Sequence, residues 1–355
     1  MTLPAELSAH LATGTVIPAH PLALDAQRRL DEASQAALTR YYVAAGAGGI
    51  AVGVHTTQFA IHDPSVGLLE PVLRIAARTL DDLALTRPFL RICGVLGPTR
   101  HAVAEAEVAA SLGYHAVLLA PGPGTEAELL TRAAQVGRVL PVIGFYLQET
   151  VGGRYLSAEF WRRFADLPCV VGIKIAPFDR YRTIETVRGV AGADRGGEVA
   201  LYTGNDDTIV TDLLTPFEVG DGRRRHIVGG LLGQWAVWTR SAVTLLERAH
   251  RAQAGDIAEA AGLLAYAAPT ADANGAIFDV AHGFAGCIPG INEMLRRQGL
   301  MRSALCLDPS EVLGAGQVQE LDRVCDAYPW LTDDEFVAAH RDSWLLPADQ
   351  HRPRR

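Results

Sequence analysis

One lysine stands alone among the cationic side chains of this sequence. Of the 32 Lys and Arg residues in its 355 positions, only Lys174 is a lysine. A buried lysine amine can lose its proton and attack a carbonyl carbon, whereas a guanidinium stays protonated at any ordinary pH. We therefore expect Lys174 to be present for nucleophilic chemistry, as the amine that forms a Schiff base with a ketone or aldehyde.

The residues around Lys174 predict a buried strand. The apolar run VVGIKIA ends shortly after the lysine, which places it near the carboxyl end of that strand. Strand alternation puts Gly172 and Ala176 on the face of Lys174 and the two isoleucines on the other face. Small neighbours leave room for a ligand, and apolar surroundings lower the pKa of a lysine. The alternative is a lysine at the rim that pairs with a carboxylate such as Asp179.

Eight short apolar runs alternate with longer amphipathic segments from residue 14 onward, which is typical of βα units around a parallel sheet. We therefore predict a (β/α)8 TIM barrel, in which the carboxyl ends of the strands, and so Lys174, face the active site. An open doubly wound sheet is the competing architecture, but no G-x-G-x-x-G opens a helix after the first strand. The predicted strands span residues 15–19, 49–54, 89–95, 115–120, 141–146, 169–175, 198–203 and 225–230.

The sequence divides into four predicted regions. An N-terminal segment at residues 1–13 precedes the barrel at residues 14–250. Helical patterns without intervening strands predict a C-terminal helical extension at residues 251–345, followed by a loose tail at residues 346–355. Within the extension, the glycine-rich segment 273–290 has no pattern that predicts a structure.

Composition limits the classes of function. A hydrophobic fraction of 49% is ample for a large core, and a formal charge of -8 with no basic run before the terminal HRPRR disfavours a nucleic-acid partner. The N-terminus does not resemble a secretory signal, and no stretch is apolar enough to cross a bilayer. The five cysteines are scattered, without C-x-x-C spacing, which favours reduced thiols. We expect a cytoplasmic protein that acts on small molecules and binds neither nucleic acid nor membrane.

Six motifs follow one another in an order typical of one group of barrel enzymes. They are TVIPAHPLALDAQRRLD, GAGGIAVGVHTTQF, PVIGFY, VVGIKIAPFD, TGNDD and IVGGLLG, and they fall on predicted strands one, two, five, six, seven and eight. Together they resemble the dihydrodipicolinate synthase and N-acetylneuraminate lyase superfamily of class I Schiff-base enzymes. The resemblance covers about residues 14–245, and the order of the motifs makes it specific.

The resemblance implies a role for each matching residue. Lys174 would be the Schiff-base nucleophile, with Tyr146 beside it to shuttle protons. Thr57 would extend that proton relay, and the hydroxyl and backbone N–H groups of Thr56 and Thr57 would hold a substrate carboxylate. The remaining pocket would be lined by Gly204 and the backbone around Leu232.

Two motifs depart from the family pattern. Where the family has the signature G-T-T-G-E, His55 replaces the first glycine, and Gln58 and Phe59 replace the last glycine and the glutamate. The departure implies a reshaped carboxylate pocket. The fourth strand ends in APGPG, residues 120–124, where synthases carry a tyrosine that reaches into the neighbouring subunit. We expect that intersubunit relay to be absent or rebuilt.

The segment after the fifth strand also differs. It reads LQETVGGRY and lacks the synthase-type arginine, which disfavours a role in lysine biosynthesis and leaves Gln148 and Arg154 as candidate substrate contacts. His20, His55 and His62 raise the alternative of a metal site, but no H-x-H or H-E-x-x-H spacing supports it. We expect no metal or other cofactor. For His55 two interpretations stay open, a substrate contact or acid/base group and a packing role.

Together, the lysine and the motifs predict a lyase, an aldolase or hydro-lyase that acts on a 2-oxo acid such as pyruvate or a keto-deoxy sugar acid through an enamine. Two alternatives stay open. One is a catalytically silent barrel that serves as a small-molecule binding or regulatory protein, and the other is a metal-dependent aldolase. By analogy with the family, we also expect a homo-oligomer, either a dimer or a tetramer.

Overall fold

A barrel of eight parallel strands is the central element of the computed structural model of this protein, which describes residues 1–220 and 222–346. Neighbouring strands pair in sequence order, and the last barrel strand pairs with the first. A bridge between Ala19 and Ala51 closes the ring. The predicted TIM barrel is therefore confirmed. Its strands are β1 Val16–Pro18, β2 Gly49–Val52, β3 Leu90–Val95, β4 Ala116–Leu119, β5 Val142–Leu147, β6 Val170–Ala176, β7 Ala200–Thr203 and β10 Gly229–Leu232, and a separate hairpin joins β8 Phe217–Glu218 to β9 Arg224–Arg225.

Helices surround the barrel and follow it in the chain. Several begin where a side chain accepts a hydrogen bond from a free N–H of the first turn, as Thr125 does from Glu128. The helices of the described residues are α1 Ala5–Thr13, α2 Glu32–Ala45, α3 Leu69–Asp82, α4 Thr99–Ser111, α5 Glu126–Val136, α6 Ala158–Ala165, α7 Arg180–Ala191, α8 Ile209–Leu214, α9 Thr239–Gln253, α10 Ile257–Ile277, α11 Cys287–Arg297, α12 Gln317–Ala327 and α13 Asp334–Trp344. None of these helices combines the length and the apolar character needed to cross a bilayer.

Each barrel strand has two apolar faces, because one face packs against the helices and the other faces the barrel interior. On β6, Ile173 and Ile175 belong to the layer between strands and helices. Ala176 and Lys174 face the inside of the barrel, as the predicted alternation required. The lysine is therefore surrounded by the barrel interior rather than by the helix layer.

Helix α1 covers the amino-terminal end of the barrel. The side chain of Leu11 packs among the interior residues, and its carbonyl accepts a hydrogen bond of 2.8 Å from the hydroxyl of Tyr202. His10 on the same helix bonds the carbonyl of Gly48 at 2.9 Å. With this end covered, a ligand reaches the interior from the carboxyl ends of the strands, where TIM-barrel active sites lie.

The position of the eighth strand corrects the sequence prediction. Residues 225–230 were expected to form it, but β10 spans Gly229–Leu232, and Arg225 belongs to the β8–β9 hairpin. The register is set by close approach to β1, because a Cβ at Gly229 would lie 2.6 Å from the carbonyl oxygen of Thr15. Only glycine allows that approach, so the strand starts there and not at the arginines.

The chain after the barrel is helical, as predicted. Helices α10 to α13 lie beside the barrel, and the hydroxyl of Tyr41 on α2 donates a 2.6 Å hydrogen bond to Asp333 at the start of α13. The glycine-rich segment 273–290 forms the end of α10, a short 3-10 turn and the start of α11. The predicted division at residue 250 falls inside α9 and stays a prediction, and the tail at residues 346–355 lies, except for Leu346, outside the described residues.

Candidate functional site

A pocket opens at the carboxyl end of the barrel, and Lys174 lies in its wall. Counted with its open mouth, it has a volume of about 570 Å³. Its lining combines four phenylalanine rings and several aliphatic side chains with five polar side chains. The lining includes Val54, His55, Thr56, Phe145, Leu147, Gln148, Val151, Lys174, Phe178, Gly204, Asp206, Gly233, Phe278, Phe284, Cys287 and Ile291.

Lys174 is buried and lacks a counter-ion in direct contact. It is only 7% exposed, and burial lowers the pKa of its amine to about 8, against an opposing attraction from Asp206. Its Nζ lies 4.3 Å from the ring centre of Phe145, and it makes no ion pair within the described residues. Asp179 instead accepts a hydrogen bond from the backbone of Arg182 at the start of α7. The alternative of a lysine paired at the rim is therefore wrong.

Asp206 is a site residue that the sequence argument missed. It follows β7 within the TGNDD motif, lines the pocket and is 7% exposed. One carboxylate oxygen accepts a hydrogen bond of 3.2 Å from the backbone of Gln234, and burial raises the pKa of the carboxyl to about 7. The missed signal was its place two residues after Gly204, at the mouth of a barrel strand. Among the described residues that line the pocket, Asp206 is the one that carries a carboxyl group, which can donate or accept a proton.

Tyr146 does not lie beside Lys174, and that expectation is wrong. The residue on β5 whose Cα pairs with that of Lys174 is Phe145, which faces inward, so Tyr146 points outward. The tyrosine ring packs against Trp161 of α6 with ring centres 5.4 Å apart. Its hydroxyl is buried and has no hydrogen-bond partner among the described residues. Strand alternation separates the phenol from the amine by the thickness of the sheet.

Substituting Tyr146→Phe is expected to leave the rate of any reaction at Lys174 within about twofold. It is also expected to keep or raise the melting temperature, because it removes a buried polar group that has no partner. Steady-state kinetics and a thermal melt check both results. A loss of turnover of 100-fold or more with an unchanged melting temperature would restore the tyrosine as a proton shuttle.

The two threonines of the second motif are held by the backbone. The hydroxyl of Thr57 donates to the carbonyl of His20 at 2.7 Å and accepts from the N–H groups of Gly53 and Val54. Thr57 therefore stabilises the turn after β2 and does not line the pocket. Thr56 lines it, but its hydroxyl donates to the carbonyl of Ala19 at 2.8 Å. The predicted hydroxyl relay is thus not assembled, although the backbone N–H of Thr56 has no backbone partner within the described part of the chain.

His55 does line the pocket with Lys174. Burial, and then the nearby charge of Lys174, lower the pKa of the imidazole to about 4. The ring packs edge-on against Phe59 with centres 5.6 Å apart. At neutral pH His55 is therefore uncharged, with one ring nitrogen able to donate and the other able to accept a hydrogen bond.

The other candidate residues divide into two groups. Gln148 and Gly204 line the pocket, and the side-chain oxygen of Gln148 accepts a 2.7 Å hydrogen bond from Thr150. Arg154 does not line it, because its guanidinium binds the carbonyl of Gly124 in the loop after β4. The side chain of Leu232 packs in the layer outside the barrel, and the next residue, Gly233, borders the pocket instead.

Gly204→Ala is expected to slow imine formation at Lys174 by about 30-fold, since small displacements of a reacting group carry penalties up to about 10²-fold. An added Cβ would lie 2.7 Å from Cβ of Ala176 and 3.0 Å from Cγ of Lys174, so the lysine must move. Borohydride trapping with pyruvate measures the rate. The matched control is Gly197→Ala, where an added Cβ meets no atom within 4 Å. Equal trapping rates for the two variants would contradict the expectation.

The C-terminal extension supplies part of the pocket wall. Its contributions include Phe278, Phe284, Cys287 and Ile291, and none of them was predicted from the sequence. They come from the segment 273–290 and the first turns of α11. No motif marks these residues, because their contact with the barrel joins segments far apart in the chain.

The remaining histidines of the sequence argument have structural partners. His20 is enclosed between Gln35 and Thr39, and His62 bonds Glu105 at 2.6 Å and the carbonyl of Gly53 at 2.8 Å. Neither lines the pocket. Over residues 1–220 and 222–346, no group of three or more His, Cys, Asp and Glu side chains is arranged to hold a metal ion.

Comparison with known proteins gives matches to solved structures only. No family model and no curated protein sequence matches the chain. A dihydrodipicolinate synthase from Oceanobacillus iheyensis is 17% identical, with a TM-score of 0.71 over 91% of this chain and 99% of that one. YagE from E. coli K12, a prophage protein of the dihydrodipicolinic acid synthase family solved with pyruvate, is 20% identical, with a TM-score of 0.73 over 89% and 99%.

A third match extends the comparison to lyases. An N-acetylneuraminate lyase from Fusobacterium nucleatum is 15% identical, with a TM-score of 0.69 over 89% of this chain and 99% of that one. At such identities the likeness shows a shared fold. The fold is the one that the motif resemblance implied.

Proposed function

We propose, taking the chain as a divergent member of the dihydrodipicolinate synthase and N-acetylneuraminate lyase superfamily, that it is a lyase that forms a Schiff base between Lys174 and a 2-oxo acid. The single observation that carries this proposal is the buried amine in the pocket wall, which makes no ion pair with the described residues and has its pKa lowered to about 8. An appreciable fraction of such an amine is neutral near physiological pH, and the neutral form is the nucleophile.

The carboxylate of the substrate binds at the turn after β2. The backbone N–H groups of His55 and Thr56 have no backbone partner among the residues that the structure describes, and both residues border the pocket. A neutral imidazole at His55 adds a hydrogen-bond donor without a competing charge. These donors orient the keto carbon towards the amine.

Asp206 takes the proton-transfer role that the resemblance assigned to a tyrosine. Phe145 occupies the inward position beside the lysine and has no exchangeable proton. Asp206 faces the same pocket, and a carboxyl with a pKa of about 7 can both accept and donate a proton near neutral pH. Its hydrogen bond from Gln234 holds the carboxylate in place.

The reaction then balances as follows. The neutral amine of Lys174 adds to the keto carbon, the hydroxyl of the carbinolamine takes a proton from solvent and leaves as water, and a protonated imine remains. Asp206 takes a proton from the adjacent carbon, and the C–H electron pair forms the enamine while the positive nitrogen is neutralised. In the cleavage direction, the bond between the third and fourth carbons of a 4-hydroxy-2-oxo acid breaks instead, and the 4-hydroxyl proton passes to Asp206 as the aldehyde forms. Asp206 then returns its proton to the third carbon of the enamine, and water hydrolyses the resulting protonated imine to the 2-oxo acid and the free amine.

Borohydride trapping tests the proposal. Reduction in the presence of pyruvate is expected to fix one pyruvyl group per chain, found by intact mass and mapped to the peptide of Lys174. Since the sequence holds one lysine, the only other primary amine is the N-terminus, which donates a hydrogen bond to the carbonyl of Gly137. The absence of a Lys174 adduct with pyruvate and with longer 2-oxo acids would refute the proposal.

The same experiment separates the alternatives. A silent barrel that binds small molecules would retain ligand but give no adduct and no turnover. A metal-dependent aldolase would turn over without an adduct and lose that turnover to a chelator. The expected homo-oligomer and compartment stay predictions, which sedimentation and localisation experiments address directly.

A further inference from the structure

The pocket wall is mostly apolar and aromatic beyond the groups that the chemistry requires. Lys174, Asp206 and His55 are committed to the reacting atoms and the carboxylate under the proposed function. The hydroxyl of Thr56 is occupied by a backbone carbonyl, and the side-chain oxygen of Gln148 is occupied by Thr150. The amide nitrogen of Gln148 is then the main side-chain donor left for the remainder of a substrate.

Three phenylalanines outside the barrel strands contribute to this wall. Phe178 follows β6, whereas Phe278 and Phe284 belong to the C-terminal extension. The rings of Phe178 and Phe284 meet edge-to-face with centres 5.8 Å apart. Both are only half-buried, so apolar ring surface faces the open pocket, which is unfavourable until a ligand covers it.

The backbone at two of these positions is strained. Phe178 has φ 52° and Phe284 has φ 70°, in the left-handed region that residues with a Cβ rarely adopt. Such strain persists where the surrounding structure fixes it, and it occurs preferentially at ligand sites. Glycine or asparagine adopts this backbone conformation with less strain. The presence of phenylalanine at both positions therefore indicates that the ring makes a favourable contribution that offsets the strain.

The extension that carries two of these rings is tied to the barrel mouth at three points. The amide of Asn274 donates to the backbone carbonyl of Asp206. The side chain of Gln58 accepts a hydrogen bond of 2.6 Å from the backbone of Leu307, and Arg28 donates to the carbonyl of Cys306. The rings are therefore held in a fixed position over the site and preformed for a partner.

We propose that the electrophile that adds to the enamine, or leaves from it, is an aldehyde bearing an apolar planar ring, and that Phe178, Phe278 and Phe284 bind this ring. The inference rests on the proposed function and names its second substrate. The enamine carbon bonds to the aldehyde carbon, the carbonyl electron pair moves to oxygen, and the oxygen takes the proton held by Asp206. Hydrolysis of the imine releases a 4-hydroxy-2-oxo acid with an aryl group.

A polyhydroxylated chain fits this wall poorly. Its hydroxyl groups would lose hydrogen bonds to water, and the apolar rings offer no replacement. Arg154, which could have bound a distal carboxylate or hydroxyl, is held by the loop after β4. A keto-deoxy sugar acid, named above among the expected substrates, is therefore the disfavoured choice.

The test compares two aldehydes in condensation with pyruvate. Purified full-length protein is incubated with benzaldehyde or with glyceraldehyde, and kcat/KM for the hydroxy-oxo acid is measured by chromatography. We expect benzaldehyde to be preferred by at least about tenfold. Phe284→Leu, which keeps an apolar residue at the strained position, is expected to lower the preference about fivefold. Phe336→Leu on α13, outside the pocket, is the matched control and is expected to leave the preference unchanged.

The outcomes separate this inference from the proposed function. Preference for glyceraldehyde, or an equal preference in the wild type and the Phe284 variant, overturns the inference. A Lys174 adduct with pyruvate but no product from either aldehyde also overturns it, while leaving the Schiff-base chemistry intact. A protein that gives no adduct at all refutes the proposed function and the inference together.

Discussion

Replacing Lys174 with methionine is expected to abolish adduct formation and to lower turnover by on the order of 10⁴-fold or more, as the loss of a covalent nucleophile does. Methionine matches the length and volume of the lysine side chain and suits the apolar pocket wall, but it offers no amine. Lys174→Arg is expected to fail as well, because a guanidinium remains protonated. Intact mass after borohydride reduction and steady-state kinetics check both variants.

Lys174→Met is also expected to be more stable than the wild type near neutral pH. Burial lowers the pKa of Lys174 from 10.5 in the free side chain to about 8 in the folded protein. The folded protein therefore binds this proton more weakly than the unfolded chain, and the stability penalty is fully present below about pH 8 and lost as pH rises through 10.5. Lys174→Met removes the penalty and should raise the melting temperature by about 2 °C or more. If Lys174 instead had a structural role, the substitution would lower the melting temperature by a large amount.

Asp206→Asn is expected to reduce turnover by about 10³-fold while leaving imine formation possible. The amide can still accept the hydrogen bond from Gln234, so the local structure should persist, but it cannot exchange a proton with substrate carbon or oxygen. Kinetics of the complete reaction and borohydride trapping measured in parallel separate the two steps.

The pH dependence of borohydride trapping provides a second test of Asp206→Asn. The negative charge of Asp206 raises the pKa of Lys174, in opposition to burial. Without that charge the pKa falls below about 8, so the neutral amine persists to lower pH and the midpoint of trapping shifts downward. A residue with a purely structural role would not shift the midpoint while sparing the adduct.

The neighbouring residue provides the matched control. Asp207→Asn makes the same chemical change one position later, on a side chain that is exposed and does not border the pocket. We expect turnover within about twofold of the wild type and an unchanged trapping midpoint. If the two variants behave alike, or if Asp206→Asn turns over normally, Asp206 does not transfer protons.

The fold and the buried position of Lys174 could be predicted from sequence because both leave local signals. Eight apolar runs separated by amphipathic segments specify βα units. Lys174 stands out because all the other Lys and Arg positions of the chain are arginine. The alternation along β6 also followed from the sequence, since the side chains of a strand repeat every two residues. The eighth strand was misplaced because its start depends on how closely a glycine approaches β1.

The residue proposed to transfer protons could not be predicted in the same way. Phe145 and Tyr146 are adjacent in the chain, and a motif match cannot decide which of them faces the barrel interior. The register between β5 and β6 decides it by pairing Phe145 with Lys174. A shift of one residue exchanges the two faces of a strand. The same sequence therefore places the phenol of Tyr146 either beside the amine of Lys174 or in the layer between strands and helices, depending on the register.

The sequence by itself determined the barrel, the single lysine and the strand end on which it lies. The tertiary structure alone decided which groups meet that amine: Asp206 from the loop after β7, His55 from the turn after β2, and the rings of Phe278 and Phe284 from an extension with no recognisable motif. The reason is physical. Periodicity and composition report on neighbours along the chain, whereas a pocket is assembled by the packing of segments that are distant in sequence, and that packing sets burial, pKa and specificity together.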